Sequence, residues 1–137
     1  MYEIIIASHG PLASAMRESL SFFFPENDLY TVEIDQAGIE KFQSKMQTTL
    51  KQLQNRPVLI FTDLLYGTPF NVAAKYAGEY AKEFEILAGV NLPCLVEAVN
   101  LKKQQQPLQQ AIPLLLVAGT MSTFTEQAKL RMNEEDE

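Results

Sequence analysis

The residue of this chain best suited to nucleophilic chemistry is His9, its only histidine. It follows the β-branched residues 4–6, which predict a strand buried on both faces, and a Gly-Pro break comes next. Asp63 stands in the equivalent place after a second apolar run, residues 58–62. A carboxylate that accepts the N–H of one imidazole nitrogen raises the basicity of the other. His9 and Asp63 are therefore a candidate nucleophile and its orienting partner.

The segment after the second apolar run indicates which group such a nucleophile would receive. Thr68 is an N-cap candidate and Pro69 suits the first helical position, so a helix is predicted to start here. Free N–H groups at a helix N-terminus bind phosphoryl oxygens, the Thr68 hydroxyl is a further donor, and Gly10 and Gly67 allow close backbone approach. Phosphoryl transfer needs positioning and charge stabilisation, so the site predicts a phosphoryl acceptor without metal or cofactor. Capping alone would also explain Thr68 and Pro69.

The elements that must position His9 and Asp63 are strands and helices that alternate along the chain. Apolar patterning predicts strands at residues 4–6, 30–34, 58–62 and 84–88, each followed by a helix. This order predicts an α/β fold with a doubly wound, mostly parallel sheet in the order 2-1-3-4 and helices on both faces. Reactive groups in such sheets gather beyond the carboxyl ends of the strands, where the winding reverses. His9 and Asp63 are expected to meet there.

The C-terminal part of the chain is harder to assign. Residues 102–110 are rich in glutamine and predict a linker with a short helix. Residues 114–118 form an apolar run that predicts a fifth strand, whose direction the sequence leaves open. The tail, residues 125–137, ends in the acidic run NEEDE and predicts either a solvated helix end or a disordered terminus.

Length, charge and cysteine content narrow the classes of function. A chain of 137 residues with 47% hydrophobic content suits a single domain over residues 1–137. Its net charge of −6 disfavours nucleic acid as a partner. The opening apolar run is too short for a signal peptide or a membrane span, and Cys94 is a lone cysteine expected to be buried. The expected location is a reducing cytoplasm.

Three segments resemble the signature blocks of the mannose-family IIA component of the bacterial sugar phosphotransferase system. They read ASHG at residues 7–10, DLLYGTPFN at residues 63–71 and LAGVNLPCLVE at residues 87–97, in the family's order and spacing. The resemblance extends from residue 1 to about residue 101. It implies that His9 is the phosphorylated histidine, that Asp63 orients it, and that Thr68 lies near the phosphoryl group.

The resemblance also implies partners and assembly. The donor would be the histidine-containing phosphocarrier protein, and the acceptor a IIB component that passes the group to sugar during uptake, with membrane contact only through a IIC/IID transporter. A homodimer is implied, with an antiparallel fifth strand, assigned to residues 114–118, exchanged between subunits. Tyr66 stands where the family usually has glycine. If the loop needs a positive φ there, Tyr66 would be strained, and the loop is then expected either to have a different shape or to face a different IIB partner. Tyr66 and Asn91 are candidate partner contacts.

Three alternatives come from the same residues. A receiver-like domain would be phosphorylated on Asp63, but it needs acidic residues after the first strand to hold magnesium, and Ser8, His9 and Gly10 supply none. A non-catalytic regulatory module would bind a partner or a small anion in the same crevice, and the sequence leaves transport and regulation both open. A metal hydrolase is disfavoured, because one histidine and one cysteine provide too few of the usual ligands.

Overall fold

A computed structural model describes residues 1–135 and shows one parallel sheet with the strand order β2-β1-β3-β4, as predicted. Its strands are β1 (Glu3–His9), β2 (Tyr30–Ile34), β3 (Pro57–Thr62) and β4 (Glu83–Ala88). Its helices are α1 (Leu12–Leu20), α2 (Ile39–Gln52), α3 (Thr68–Tyr80), α4 (Leu92–Lys103), α5 (Leu108–Ala118) and α6 (Phe124–Glu135). The α/β fold class is confirmed.

Each face of the sheet is covered by its own apolar core. Ile4 and Ile6 of β1 face a cluster with buried residues of α1, α4 and α5. Ile5 and Ala7 point to the opposite side, where α2 and α3 supply the buried residues. Because both faces of β1 are covered, every residue along its centre has to be compatible with burial, which explains the uninterrupted apolar run.

The strand order brings the ends of β1 and β3 together. β1 pairs with β2 on one side and with β3 on the other, and Ala7 lies opposite Thr62. The winding direction of the chain reverses between β1 and β3, so a crevice opens at their carboxyl ends. His9 is the last residue of β1 and Asp63 follows β3 directly. The predicted meeting of these two residues therefore has a structural basis.

The prediction of a fifth strand at residues 114–118 is wrong. These residues are the second half of α5, and the sheet of residues 1–135 has four strands. Leu108, Ala111 and Leu115 recur at helical spacing, and all three are buried in the core beside α4. Burial of this helical face outweighs the local apolar run that suggested a strand. The predicted polar linker shortens to residues 104–107, between α4 and α5.

The acidic C-terminal segment is helical as far as the structure describes it. α6 continues to Glu135, in agreement with the predicted solvated helix end, and Asp136 and Glu137 lie outside the described residues. Of the α6 side chains at residues 124–134, only Ala128 is partly buried. None of the helices in residues 1–135 combines the length and the apolar character that crossing a bilayer requires.

Candidate active site

His9 and Asp63 form a hydrogen-bonded pair at the crevice. The distance from Nδ1 of His9 to Oδ2 of Asp63 is 2.9 Å, and the same oxygen accepts the backbone N–H of His9 at 2.8 Å. The other carboxylate oxygen accepts the backbone N–H of Leu64 at 3.0 Å. Because an ionised carboxylate can only accept, the ring carries its proton on Nδ1 and keeps a lone pair on Nε2.

The electrostatics of the pair keep Asp63 ionised at neutral pH. Burial alone would raise the pKa of Asp63, since its side chain is only 10% exposed. Hydrogen bonds from the backbone and ring of His9, the favourable electrostatic interaction with that ring and the backbone N–H of Leu64 outweigh burial and hold the pKa below the ordinary 3.8. The His9 side chain is 46% exposed, so an incoming group can reach the ring.

The turn after β1 is fixed by a buried serine that sequence reasoning missed. The Ser8 hydroxyl donates to the Gly10 carbonyl at 3.0 Å and accepts the backbone N–H of Ala13 at 2.8 Å, so it ties His9 to the start of α1. Gly10 has a φ of +61° and donates its own N–H to the Ile34 carbonyl at 2.7 Å. Gly10 therefore provides backbone shape, since its N–H is already bonded. A serine just before an amphipathic helix is a capping signal that could have revealed this role.

Gly67 makes room for the His9 ring. A Cβ atom at Gly67 would lie 2.9 Å from Cε1 and 3.5 Å from Nε2 of His9, and the first distance is shorter than real Cβ contacts allow. Its φ of −79° is open to any residue, so the requirement is for space. Gly67 is also the N-cap of α3, which corrects the predicted cap at Thr68 by one position. Thr68 is the first helical residue, and no side-chain capping bond forms.

Tyr66 has a positive φ, the condition under which a residue other than glycine is strained at this position. Its φ is +62°, which costs a residue with a Cβ about 1–2 kcal/mol relative to glycine. Its carbonyl accepts the side-chain N–H of Asn71 at 3.1 Å, and its ring meets Phe70 edge to face with centroids 5.5 Å apart. The residue as a whole is nevertheless 74% exposed. Tyr66 therefore remains a candidate partner contact.

Asn91 has an internal structural role, and its predicted contact with a partner stays a prediction. Its Oδ1 accepts the backbone N–H of Cys94 at 3.1 Å, and its Nδ2 donates to the Gly119 carbonyl at 2.8 Å. The amide thus caps α4 and ties it to the end of α5.

Cys94 is buried, as the sequence predicted. Burial raises the pKa of the Cys94 thiol, and only 6% of this residue is exposed, as expected for a small buried hydrophobe.

Comparison with known proteins agrees with this arrangement. The family model EIIA-man, described as "PTS system fructose IIA component", where PTS is the sugar phosphotransferase system, matches residues 3–113. The chain belongs to this family. The fructose-specific EIIA component of Bacillus subtilis (strain 168) is 36% identical over 106 residues, which are 75% of this chain and 72% of that protein. The sorbose-specific EIIA component of Lacticaseibacillus casei is 24% identical over 137 residues, covering 98% and 99% of the two chains.

A solved EIIA structure has the same fold. The mannose/sorbose-specific IIA subunit from Enterococcus faecalis superimposes with a TM-score of 0.77 at 28% identity, covering 88% of this chain and 95% of that one. The resemblance found in the sequence blocks is therefore confirmed, and the chain is an EIIA component of the sugar phosphotransferase system.

The pair in this EIIA component can act chemically through one nitrogen. Nδ1 of His9 is bonded to Asp63, while no residue in the described range 1–135 hydrogen-bonds to Nε2. That range also contains no group of three histidine, cysteine, aspartate or glutamate residues that could hold a metal ion. The arrangement offers a nucleophilic nitrogen next to a carboxylate that can stabilise a positive charge on the ring.

Proposed function

We propose that this EIIA component accepts a phosphoryl group on Nε2 of His9 from the histidine-containing phosphocarrier protein and passes it to a IIB component for sugar uptake. The observation that carries the proposal is the 2.9 Å hydrogen bond from Nδ1 to Asp63. It leaves the lone pair of Nε2 free on a side chain that is 46% exposed. Membership of the EIIA-man family supports the same role.

The transfer step needs no proton movement at His9. The Nε2 lone pair forms a bond to phosphorus while the bond between phosphorus and the donor's nitrogen breaks, and the electron pair of that bond returns to the donor. The phosphorylated ring keeps its Nδ1 proton and becomes cationic. The ionised Asp63 carboxylate stabilises this charge through the hydrogen bond that already exists. Transfer to the acceptor is the same exchange in reverse.

The start of α3 is the proposed contact for the phosphoryl oxygens. Gly67 borders the His9 ring directly, and the next residue, Thr68, begins the helix. The free N–H groups of the first turn and the Thr68 hydroxyl therefore follow directly after the residue that borders the reacting atom. A helix N-terminus favours negative charge. Gly10 contributes by shaping the turn that carries the histidine.

We further propose that the protein works in the cytoplasm as a homodimer and meets the membrane only through a IIC/IID transporter. The support for pairing is an apolar surface on α5: Leu114 is 50% exposed, Leu116 60% and Val117 74%. Large exposed apolar side chains on one helix are typical of surfaces that another protein covers. Sedimentation of the purified chain tests the assembly, and a monomer at every concentration would contradict it.

Phosphorylation with site mapping tests the transfer function. The purified chain is incubated with the phosphorylated phosphocarrier protein, and the label is located by mass spectrometry. The expected product is phosphohistidine, labile in acid and stable in alkali, which can form only on His9 because the chain has one histidine. His9→Ala should abolish labelling and keep the fold, since the side chain is exposed. Undiminished labelling of His9→Ala would refute the proposal.

The same experiment separates the alternatives. A label on Asp63 would be an acyl phosphate, which is labile in alkali, and would indicate receiver-like chemistry. Complete absence of label on the wild-type chain would favour a non-catalytic module that binds a partner or an anion in the crevice.

A further inference from the structure

The loop between β3 and α3 exposes three large side chains in a row. Leu64 and Leu65 are each 58% exposed and Tyr66 is 74% exposed. We call these three residues the collar. A single exposed apolar side chain is ordinary on a protein surface, but three consecutive large ones form a continuous exposed apolar patch. The collar therefore requires an explanation outside the core.

The collar borders the reactive nitrogen. The position of a Cβ at Gly67 lies 3.7 Å from Cβ of Leu64 and 3.5 Å from Nε2 of His9. Leu64 and the His9 ring thus both border the space beside Gly67. A group that reaches Nε2 has to approach past this loop.

Tyr66 holds its exposed ring at the expense of a strained backbone. Its φ is +62°, and its ring contact within the chain is the edge-to-face pair with Phe70 at 83° between planes. Glycine would adopt the same backbone without strain. Strain that is not compensated by burial is concentrated at functional sites in proteins. The side chain, rather than the backbone, is the part of Tyr66 that a function would use.

We propose that the collar is the docking surface for the phosphorylated donor protein and that Tyr66 is its specificity-determining residue. This inference rests on the proposed function of His9. Transfer requires the donor's phosphorus to come within about 3–3.5 Å of Nε2. A protein donor at that distance has to cover the neighbouring loop, so its own phosphorylated histidine should be surrounded by an apolar face. Aromatic side chains commonly dominate the binding energy of such contacts.

Two donors of different size test the proposal. A protein donor needs the collar, whereas phosphoramidate, a small molecule, needs only the histidine. In the small-molecule reaction the bond from Nε2 to phosphorus forms as the P–N bond of phosphoramidate breaks, and ammonia leaves. We expect Tyr66→Gly to raise the KM for the phosphorylated carrier protein about tenfold or more and to leave labelling by phosphoramidate unchanged. Tyr66→Phe should restore a KM near the wild-type value.

A matched control separates the ring from the relief of strain. Gln105 is an exposed residue with a φ of +60° on the link between α4 and α5. Gln105→Gly relieves the same kind of strain away from the collar, and we expect it to leave both labelling rates unchanged.

Several results would overturn the inference. One is an unchanged KM for the protein donor in Tyr66→Gly. Another is an equal loss of the labelling rate with both donors in that variant. The third is that phosphoramidate labels the wild-type chain and the protein donor does not. Weaker self-association of Tyr66→Gly in sedimentation, with no change in KM, would instead assign the collar to a second copy of the chain. Absence of wild-type labelling by either donor would remove the proposed function itself, and this inference with it.

Discussion

Replacement of Gly67 by alanine should disable the site while leaving the fold intact. The added Cβ would lie 2.9 Å from Cε1 of His9, whereas ordinary contacts begin at 3.4 Å. The backbone of Gly67, with a φ of −79°, accepts alanine without strain. The collision therefore has to be relieved by movement of the ring, which is half exposed and free to turn outward.

The size of the effect follows from the distances. Relief of the contact needs a ring displacement of about 0.5–1 Å, which stretches the 2.9 Å bond between Nδ1 and Asp63 toward the limit of a hydrogen bond. A misplacement of about 1 Å at a reacting group can lower the rate about 10²-fold. The free energy of unfolding should change by less than about 1 kcal/mol, because alanine restricts the unfolded chain and partly offsets the lost hydrogen bond.

The assay is the rate of phosphorylation by the carrier protein, measured beside urea denaturation of the same variant. Gly78→Ala is the matched control, because a Cβ there would meet Phe84 at 3.5 Å, an ordinary contact. Gly78 lies within α3, so alanine should stabilise the helix by about 1 kcal/mol and leave the rate unchanged. A wild-type rate in Gly67→Ala, or an equal slowing in Gly78→Ala, would refute the steric reasoning.

Asp63→Asn should slow phosphorylation about 10- to 100-fold in rapid-quench experiments, because an amide cannot accept all three N–H groups and carries no charge to stabilise the ring. The pKa of Asp63 is lower in the folded chain than the ordinary 3.8 of the unfolded chain, so ionised Asp63 stabilises the fold fully well above pH 3.8. This stabilisation is lost as the pH falls through the lower pKa of the folded chain. In urea titrations at different pH, the free energy of unfolding should therefore fall less steeply toward acid in Asp63→Asn than in the wild type. Ser8→Ala should cost about 1–3 kcal/mol of unfolding free energy, since the buried N–H of Ala13 loses its acceptor. Tyr2→Phe should cost about 1 kcal/mol through loss of the 2.6 Å bond to the Ala98 carbonyl. A wild-type rate or acid slope in Asp63→Asn, or unchanged denaturation midpoints in Ser8→Ala and Tyr2→Phe, would contradict the respective assignment.

The sheet and the central pair could be predicted because local sequence determines them. A β-branched run such as residues 4–6 indicates a strand buried on both faces, and the parallel order then places its carboxyl end beside that of β3. His9 and Asp63 occupy those ends. Neither inference needs knowledge of a distant contact.

The strand prediction that failed, and the structural roles that the sequence did not reveal, depend on long-range packing. The run at residues 114–118 is as apolar as a strand, and only the packing of Leu108, Ala111 and Leu115 against the sheet makes it helical. The role of Asn91 depends on Gly119, which is 28 residues away. The space that Gly67 leaves is needed by the ring of His9 at the end of β1, a contact that cannot be read from the residues around Gly67.

The single free nitrogen of His9 has a kinetic consequence if the proposed transfer is correct. With Nδ1 committed to Asp63, donor and acceptor share one point of attack and must bind in turn. Double-reciprocal plots at several fixed acceptor concentrations should then be parallel, the pattern of a ping-pong exchange. Unphosphorylated donor should inhibit by competing with the acceptor, so the ratio of the two proteins would regulate the flux through this chain.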